Sequence, residues 1–444
     1  MYCVRVGYMK FRLAAGMSIL GLMLSCTSAL GGTLEGPLQI VVSKDLQELK
    51  IYDGGVVVAT SRVSTGKAGH STPTGIFSIL EKKRTHFSNI YDSAPMPFMQ
   101  RLTWSGIALH ASNSVPSYPA SHGCVRLPND FAKTLFSATR RGGHVLISDR
   151  DVAPQRVVHA ALFKPSIVVP DTPLLSDAGL RPALIEAGDK SVEVAMTEPK
   201  PSAVEPVVVK TEQDPIRILI TRRGEREALL DLQTLLNTLG YDAGIPDGRH
   251  GKQTITAIRA FQLAEGLKED GMVTPELVAA VYAKAGKGAP PNGQILVRQK
   301  FKPLVEEAIT IREPEVALGT HFLLARAVDA DKGTAEWYGV SMDNQLPKST
   351  LKRLGITTEA DASAPDAIAR TLDRLDIPED MRNRISGLMG EGASLSISDT
   401  GLGPETGDGT DFITITRKVQ KADASVTQGS RKSKKKKSSV TVID

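Results

Sequence analysis

The sequence predicts a multidomain protein: a mainly β, β-sandwich-like domain, an all-α three-helix module and a small α+β region toward the C-terminus. Three observations lead to this prediction. The chain has 444 residues, about three times the usual length of a single domain. Short stretches of alternating apolar residues come first, and leucines with helical spacing follow in the middle of the chain. The last third of the chain contains both alternating apolar residues and apolar residues with helical spacing.

The composition narrows the class of protein. Hydrophobic residues make up 41% of the chain and charged residues 23%, as in soluble folded proteins. The formal net charge is +5, but the stretch RKSKKKK at 431–437 alone supplies six positive charges. The remainder is close to neutral, whereas a nucleic-acid-binding domain needs a basic folded surface. We therefore expect no nucleic-acid partner.

Residues 1–32 are predicted to be an export signal peptide. Lys10 and Arg12 precede the apolar run LAAGMSILGLML, and small residues follow it, which is the order found in secretory signals. The run is shorter than the roughly 20 residues that span a bilayer. The segment beginning at Met9 has the more typical start, so Met9 is predicted to be the true first residue. The predicted location is the periplasm or cell wall.

Cys26 raises a lipid-anchored form as the minor alternative, because lipidation attaches to a cysteine at the end of a signal peptide. The residues before it, MLS, match that motif poorly. With Cys3 and Cys26 in the predicted signal, Cys124 is the only cysteine of the mature chain and has no partner for an internal disulfide. Cys124 is then either a buried apolar residue or a reactive nucleophile.

The surroundings of Cys124 favour the nucleophile. The stretch PASHGCVRLPND is turn-like and precedes a predicted helix, whereas a structural cysteine is usually flanked by apolar periodicity. We expect a helix N-terminus or a nearby imidazolium to lower the pKa of this thiol. Gly123 permits a tight turn, so the backbone amides of Gly123 and Cys124 are candidates for an oxyanion hole.

Two histidines are candidates for the base. His110 ends the strand-like run GIALH, which is a rigid support, and it is preferred. His122 is predicted to support the loop instead. A zinc site at His70, His86 and His144 is rejected, because no pair has ligand spacing. We expect neither a metal nor another cofactor.

The motif Ser121-His122-Gly123-Cys124-Val125-Arg126-Leu127, with His110 upstream, resembles that of the L,D-transpeptidase catalytic domain (YkuD type). The preceding stretch VSTGKAGHSTPTGIF is similar to the family's Ser-Thr-Gly and Thr-Pro-x-Gly-x-Phe landmarks, and the resemblance covers roughly residues 37–149. Two features depart from the family pattern: Ala111 replaces a common glycine, and the spacing from His110 to Cys124 is short.

The resemblance implies an exported enzyme that acts on peptidoglycan stem peptides, with Cys124 as nucleophile and His110 as base. Ser121, His122 and Gly123 would support the loop or the oxyanion hole. Arg126 would hold the loop or pair with a substrate carboxylate, and both roles stay open.

Two other functions remain as alternatives: an L,D-carboxypeptidase, in which water resolves the same thioester, and a non-catalytic wall-binding protein. The acceptor is also open. It could be a second stem peptide, a free D-amino acid or an outer-membrane protein.

Beyond this domain, residues 150–215 are rich in Pro, Val, Ala and Glu and are predicted to be a linker. Residues 216–290 resemble the three-helix peptidoglycan-binding module; a generic three-helix interaction unit is the alternative. The first helix of this module presents an apolar face, and Thr274-Pro275 is predicted to begin the third helix. The apolar face comprises Leu229, Leu232, Leu235, Leu236 and Leu239.

Residues 296–418 are predicted to form a small α+β region of unknown role, and residues 419–444 a disordered Lys-rich tail. Four acidic residues near the end of the α+β region could suggest a calcium site. Their spacing is not that of an EF-hand loop, so a solvated hairpin turn is the preferred interpretation. These residues are Asp399, Glu405, Asp408 and Asp411.

Overall fold

The computed structural model describes residues 36–89, 93–167, 214–407 and 409–417. The predicted signal peptide with Cys26, most of the predicted linker, Asp408 and the Lys-rich tail lie outside these residues. No helix within the described ranges is long and apolar enough to cross a membrane.

Eighteen strands and seven helices occur in the described residues. The strands are β1 (Gln39–Ser43), β2 (Glu48–Asp53), β3 (Val56–Arg62), β4 (Thr74–Ser78), β5 (Glu81–Lys83), β6 (Met99–Arg101), β7 (Ala108–Ala111), β8 (Val125–Leu127), β9 (His144–Ser148), β10 (Gln155–Val157), β11 (Arg217–Arg222), β12 (Gly293–Gln299), β13 (Lys302–Ile311), β14 (Thr320–Asp329), β15 (Thr334–Met342), β16 (Leu375–Asp376), β17 (Ser394–Ser398) and β18 (Thr414–Arg417). The helices are α1 (Asn129–Ala138), α2 (Glu225–Thr238), α3 (Lys252–Ala264), α4 (Pro275–Lys284), α5 (Lys348–Leu354), α6 (Ala367–Asp373) and α7 (Glu379–Ser386).

The first two sheets form the predicted mainly β domain. One has six strands in the order β18-β4-β9-β1-β2-β3, and the other has four in the order β5-β6-β7-β8. Asp53-Gly54 connects β2 to β3 as predicted, and Gly54 has a φ of +60°, which glycine adopts without strain. Both sheets and α1 bury one shared apolar core. Its members include Ile40, Val42, Phe77, Leu109, Val125, Leu127, Leu135 and Ile147.

The third sheet has eight strands in the order β10-β15-β14-β17-β11-β12-β13-β16, and it corrects two predicted boundaries. β10 lies in the predicted linker and pairs with β15, and Phe163 beyond it is buried in the core of this sheet. The sequence predicts that β11 belongs to the helical module, but it pairs with β12 and β17 of the third sheet. Because β11 is central and covered on both faces, its apolar residues Ile218, Leu219 and Ile220 are consecutive and lack the alternation that marks a half-exposed strand.

The helices α2, α3 and α4 form an insertion between two adjacent strands of the third sheet. β11 and β12 are antiparallel neighbours in which Arg222 lies opposite Gly293, so the chain leaves and re-enters the sheet at one place. The three helices have their own apolar core, and the Thr274 hydroxyl accepts a hydrogen bond from the N–H of Leu277 at the start of α4, as an N-cap does. This core includes Leu232, Leu236, Ala257, Ile258, Phe261, Leu277 and Val281.

Residues 296–418 are predicted to form a region of their own. The structure contradicts this, because the last strand of these residues completes the first sheet. β18 pairs antiparallel with β4, and Ile413 is buried in the core of the first two sheets. The first and third sheets also share an apolar cluster. It comprises Val41, Tyr52, Ile76, Leu146, Val152, Phe322, Leu324, Val340 and Met342.

Candidate active site

The parallel pairing of β7 with β8 brings two distant parts of the motif together. His110 lies opposite Arg126, and Leu109 lies opposite Val125. Side chains alternate along a strand, so Ala108, His110 and Arg126 share one face, while Leu109 and Val125 point into the apolar core. Cys124, two residues before Arg126, lies on the same face.

This face lines a cavity of about 410 Å³ that opens beside the loop before β8. The cavity gathers every predicted site residue except Gly123. Its lining includes His86, Met96, Met99, Arg101, Gly106, Ala108, His110, Ser121, His122, Cys124, Arg126 and Asn129.

His110 is buried in β7, and its Nδ1 lies 2.8 Å from the carbonyl oxygen of Ala111. A carbonyl only accepts hydrogen bonds, so Nδ1 carries the proton and Nε2 of the neutral ring has a free lone pair. Burial lowers the pKa of His110 to about 4, and the positive charge of Arg126 acts in the same direction. The imidazole is therefore neutral at pH 7 and able to accept a proton.

The Cys124 thiol is partly exposed and donates a hydrogen bond to the carbonyl of Gly106 at 3.4 Å. Burial raises the pKa of this thiol above its usual value, although the N–H of Ala108 and the charges of Arg101 and Arg126 act against the shift. The expected lowering is thus wrong for this structure. The predicted causes are missing, since Cys124 precedes a strand and the neighbouring imidazole is neutral.

Ser121 shapes the loop that carries the cysteine. Its hydroxyl donates to the Cys124 carbonyl at 2.5 Å and accepts a hydrogen bond from the Gly123 N–H at 3.1 Å. The Gly123 amide is thereby bound within the loop, which leaves the Cys124 amide as the remaining predicted oxyanion donor. Gly123 has a φ of +114°, and a Cβ there would lie 2.9 Å from Ile107 Cδ1. Glycine is required at this position.

Thr72 holds the loop from the other side and was not singled out from the sequence. Its hydroxyl donates to the Gly123 carbonyl at 2.8 Å and accepts from the Gly66 N–H at 2.8 Å. Both Thr72 and Gly66 belong to the stretch VSTGKAGHSTPTGIF, so the motif that could have pointed to them was visible in the sequence. Only the folded chain shows that this stretch borders the Cys124 loop.

His122 lies exposed at the rim of the cavity, and its ring meets that of His70 edge to face at 4.8 Å. Desolvation and the positive charge of Lys67 lower its pKa. Loop support by His122 stays a prediction.

Two arginines supply the positive charge of the cavity. Arg126 is fixed by its backbone, which exchanges hydrogen bonds with Ser64 at 3.0 and 3.1 Å. Arg101, which was not singled out from the sequence, also lines the cavity and pairs with Glu81 at 3.0 Å. Both guanidinium charges favour the ionised form of the Cys124 thiol.

Two of the side chains considered for metal sites, His144 and Asp399, are buried among other protein groups. His144 is buried against Phe322 away from the cavity, and Asp399 accepts a 2.8 Å hydrogen bond from buried Arg222. Across the described ranges, no group of three or more His, Cys, Asp or Glu residues is arranged to hold a metal ion.

Two family models match the chain. The model of the L,D-transpeptidase catalytic domain (YkuD) matches residues 37–147, and that of the peptidoglycan binding domain matches residues 225–281. A Bacillus subtilis (strain 168) protein named as an L,D-transpeptidase, YqjB, is 30% identical over an alignment of 149 positions that covers 30% of this chain and 84% of that protein. The chain belongs to the L,D-transpeptidase family.

Solved structures with the same name are also similar. An L,D-transpeptidase from Mycobacterium smegmatis is 22% identical, with 26% of this chain and 59% of that chain covered and a TM-score of 0.24. An L,D-transpeptidase from Xylanimonas cellulosilytica (residues 123–326) is 28% identical, with 26% and 61% covered and a TM-score of 0.23. This chain thus spans about three fifths of each of these two structures.

Proposed function

We propose that this protein is an exported cysteine L,D-transpeptidase that acts on peptidoglycan stem peptides through a thioester acyl-enzyme. The main support for this function is that one face of the β7–β8 pair presents both the free Cys124 thiol and a neutral His110 to the same cavity. Family membership and the match to the peptidoglycan binding domain support the choice of substrate. Export is proposed from the sequence of residues 1–32.

In the first half-reaction, Cys124 transfers its thiol proton to Nε2 of His110. The thiolate attacks the carbonyl carbon of the diaminoacid at position three of a stem tetrapeptide. The C–N bond to the terminal D-Ala then breaks, and the His110 imidazolium gives its proton to the leaving amine. The products are a thioester on Cys124 and free D-Ala.

In the second half-reaction, an amine of the acceptor attacks the thioester carbonyl and loses its proton to His110. The new amide forms, the C–S bond breaks, and the sulfur regains its proton. A second stem peptide is the proposed acceptor, with a free D-amino acid or an outer-membrane protein as the alternatives. No metal or cofactor takes part.

The electrostatics of the cavity set the resting state of this sequence of proton transfers. The thiol and the imidazole are both neutral at rest, so the ion pair forms only when the proton moves. The charge of Arg126 favours the thiolate and disfavours the imidazolium, so it stabilises one product of the transfer and destabilises the other. We assign oxyanion binding to the Cys124 amide, because Ser121 engages the amide of Gly123.

The test is product analysis with a stem tetrapeptide alone and with an added acceptor stem, followed by mass spectrometry. A cross-linked product that disappears in Cys124→Ser supports the proposal. Tripeptide and D-Ala without cross-links indicate the carboxypeptidase alternative. Binding to insoluble wall without any product indicates the non-catalytic alternative.

A carbapenem supplies an independent measure of the nucleophile. We expect one mass increment on the Cys124 peptide of the wild type and none in Cys124→Ser. An increment that persists in the variant would contradict the assignment of Cys124.

A further inference from the structure

Glu405 lies far from the cysteine in sequence, yet it contacts a turn beside the candidate active site. Its Oε2 accepts hydrogen bonds from the backbone N–H groups of Trp104 at 2.6 Å and Ser105 at 3.4 Å. The side chain is buried, with the residue 9% exposed. One buried carboxylate oxygen thus accepts from two consecutive N–H groups, which ties this turn to the C-terminal segment.

The same turn reaches the reacting sulfur. Residues 103–106 lie between β6 and β7, and the turn ends at Gly106, whose carbonyl accepts the hydrogen bond from the Cys124 thiol. Within the turn, the Thr103 hydroxyl accepts from the N–H of Ile107 at 2.9 Å. These bonds make the turn one unit, with Glu405 bound at its tip and Cys124 at its end.

We propose that Glu405 is a positioning residue for Cys124: it fixes the turn 103–106 and thereby holds the Gly106 carbonyl against the sulfur. The inference rests on the proposed function, in which Cys124 is the nucleophile. It also gives a role to the C-terminal segment, which supplies both β18 and Glu405 to the domain that carries the cavity. A displacement of about 1 Å at a reacting group can lower a rate roughly 100-fold.

Two backbone groups act on the sulfur in opposite directions. The Gly106 carbonyl accepts from the neutral thiol and disfavours its ionisation, whereas the Ala108 N–H favours the thiolate. Ala108 belongs to β7 and is held by the neighbouring strands, so loosening the turn releases Gly106 first. The titratable and charged side chains that line the cavity around the sulfur are His86, Arg101, His110, His122 and Arg126.

The test uses the full chain and two measurements on Glu405→Ala. The first is the rate at which iodoacetamide alkylates Cys124 as a function of pH, followed by the mass of the Cys124 peptide. We expect the rate at pH 7 to rise about threefold, because a hydrogen bond that favours the thiol is lost. The second is the acylation rate with a stem tetrapeptide, which should fall at least about tenfold because the sulfur loses its orientation.

Two variants complete the design. Glu405→Gln keeps an acceptor oxygen for the Trp104 amide and should restore both rates to within about twofold of the wild type. Asp411→Asn is the matched control, because Asp411 is a buried carboxylate of the same segment that contacts Ser78 and Arg217 instead of the turn. It should leave the alkylation profile unchanged even if it lowers stability.

The proposal is overturned if Glu405→Ala leaves the alkylation profile unchanged, or if Asp411→Asn shifts it equally, which would indicate general docking of the segment. Alkylation reports on the thiol whether or not any peptide is a substrate. Failure of peptide acylation in the wild type would therefore contradict the proposed function, while the alkylation profiles would still decide the role of Glu405.

Discussion

His110 and Arg126 lie directly opposite each other in the parallel pair of β7 and β8, on the face that lines the cavity. This register places a permanent positive charge beside both partners of the proposed proton transfer. Burial is the largest cause of the lowered pKa of His110, and this charge lowers it further. The same charge opposes the raised pKa of Cys124. We therefore predict an electrostatic role for Arg126 in addition to the two roles considered from the sequence.

Replacement of Arg126 by Gln should slow the reaction of the thiol. Without the guanidinium charge the thiolate is less favoured, and we expect alkylation of Cys124 at pH 7 to fall by about threefold to tenfold. Arg126→Lys retains the charge and should lie closer to the wild type. The measurement is the alkylation rate against pH, and equal rates for the wild type and Arg126→Gln would contradict this role.

Replacement of His110 by Ala should leave the fold intact and lower acylation by about 10²–10⁴-fold, the usual contribution of a positioned acid–base group. His122→Ala is the matched control, since His122 lies exposed at the rim, and it should change the rate far less. Carbapenem acylation followed by mass spectrometry measures both. If His110→Ala barely changes the acylation rate and His122→Ala lowers it strongly, then His122 is the base and the two roles are reversed.

Replacement of Thr72 by Val should lower both stability and acylation. The change leaves the buried carbonyl of Gly123 and the N–H of Gly66 without their partner, at a cost of about 1–3 kcal/mol in the free energy of unfolding. Thr72→Ser keeps the hydroxyl and serves as the control. Urea denaturation measures the loss, and equal midpoints for Thr72→Val and the wild type would show that the hydroxyl does not hold this loop.

Stability should fall as the pH is lowered from about 6.5 to 4. Burial lowers the pKa of His110 and of His321 to about 4, so the unfolded chain, with an ordinary histidine pKa near 6.5, binds more protons in this range. Each histidine contributes about 3 kcal/mol that is fully present above pH 6.5 and is lost as the pH approaches 4. Urea denaturation at several pH values measures the slope.

His144 adds to this acid sensitivity and offers a variant to test it. Its ring is fully buried, its two nitrogens have no hydrogen-bond partner, and burial holds its pKa well below the ordinary value. His144→Leu removes the group that must stay neutral, so the loss of stability between pH 6.5 and 4 should become smaller. An unchanged slope would rule out His144 as a contributor.

Removal of the helical module should leave the enzyme folded, because the strands on either side of it are adjacent at Arg222 and Gly293. We expect a chain in which a short Gly-Ser turn replaces residues 225–290 to keep near full carbapenem acylation and to sediment poorly with insoluble peptidoglycan. Loss of acylation would contradict the prediction that the enzyme folds without the inserted helices. Unchanged sedimentation would favour a generic interaction unit over a wall anchor as the role of the module.

A chain that ends near residue 150 should instead fail to fold. It lacks β18 and Ile413, and it exposes the apolar face that the first sheet buries against Phe322 and Leu324. We expect aggregation and no carbapenem adduct. A soluble, fully reactive truncated chain would show that the C-terminal residues are dispensable.

Much of the candidate site could be predicted from the sequence, because its residues lie in short motifs. Cys124, His110 and the Ser121-His122-Gly123 loop occur within fifteen positions, and the expected strands and hairpin around them are signalled by local alternation and by Asp53-Gly54. The contribution of Thr72 and Arg101 was not predictable in this way, because each reaches the site across strand pairs or loops that only the folded chain brings together.

The sequence by itself determined the nucleophile candidate, its base candidate, the mainly β first domain and the helices of the module, since each depends on residue type and near-neighbour spacing. Only the tertiary structure decided that the module is inserted into a sheet, that β18 completes another, and that Glu405 reaches Trp104, 301 positions away. It also decided that the Cys124 pKa is raised. Long-range pairing and burial depend on how whole elements pack, and desolvation follows from that packing rather than from the neighbouring residues in the chain.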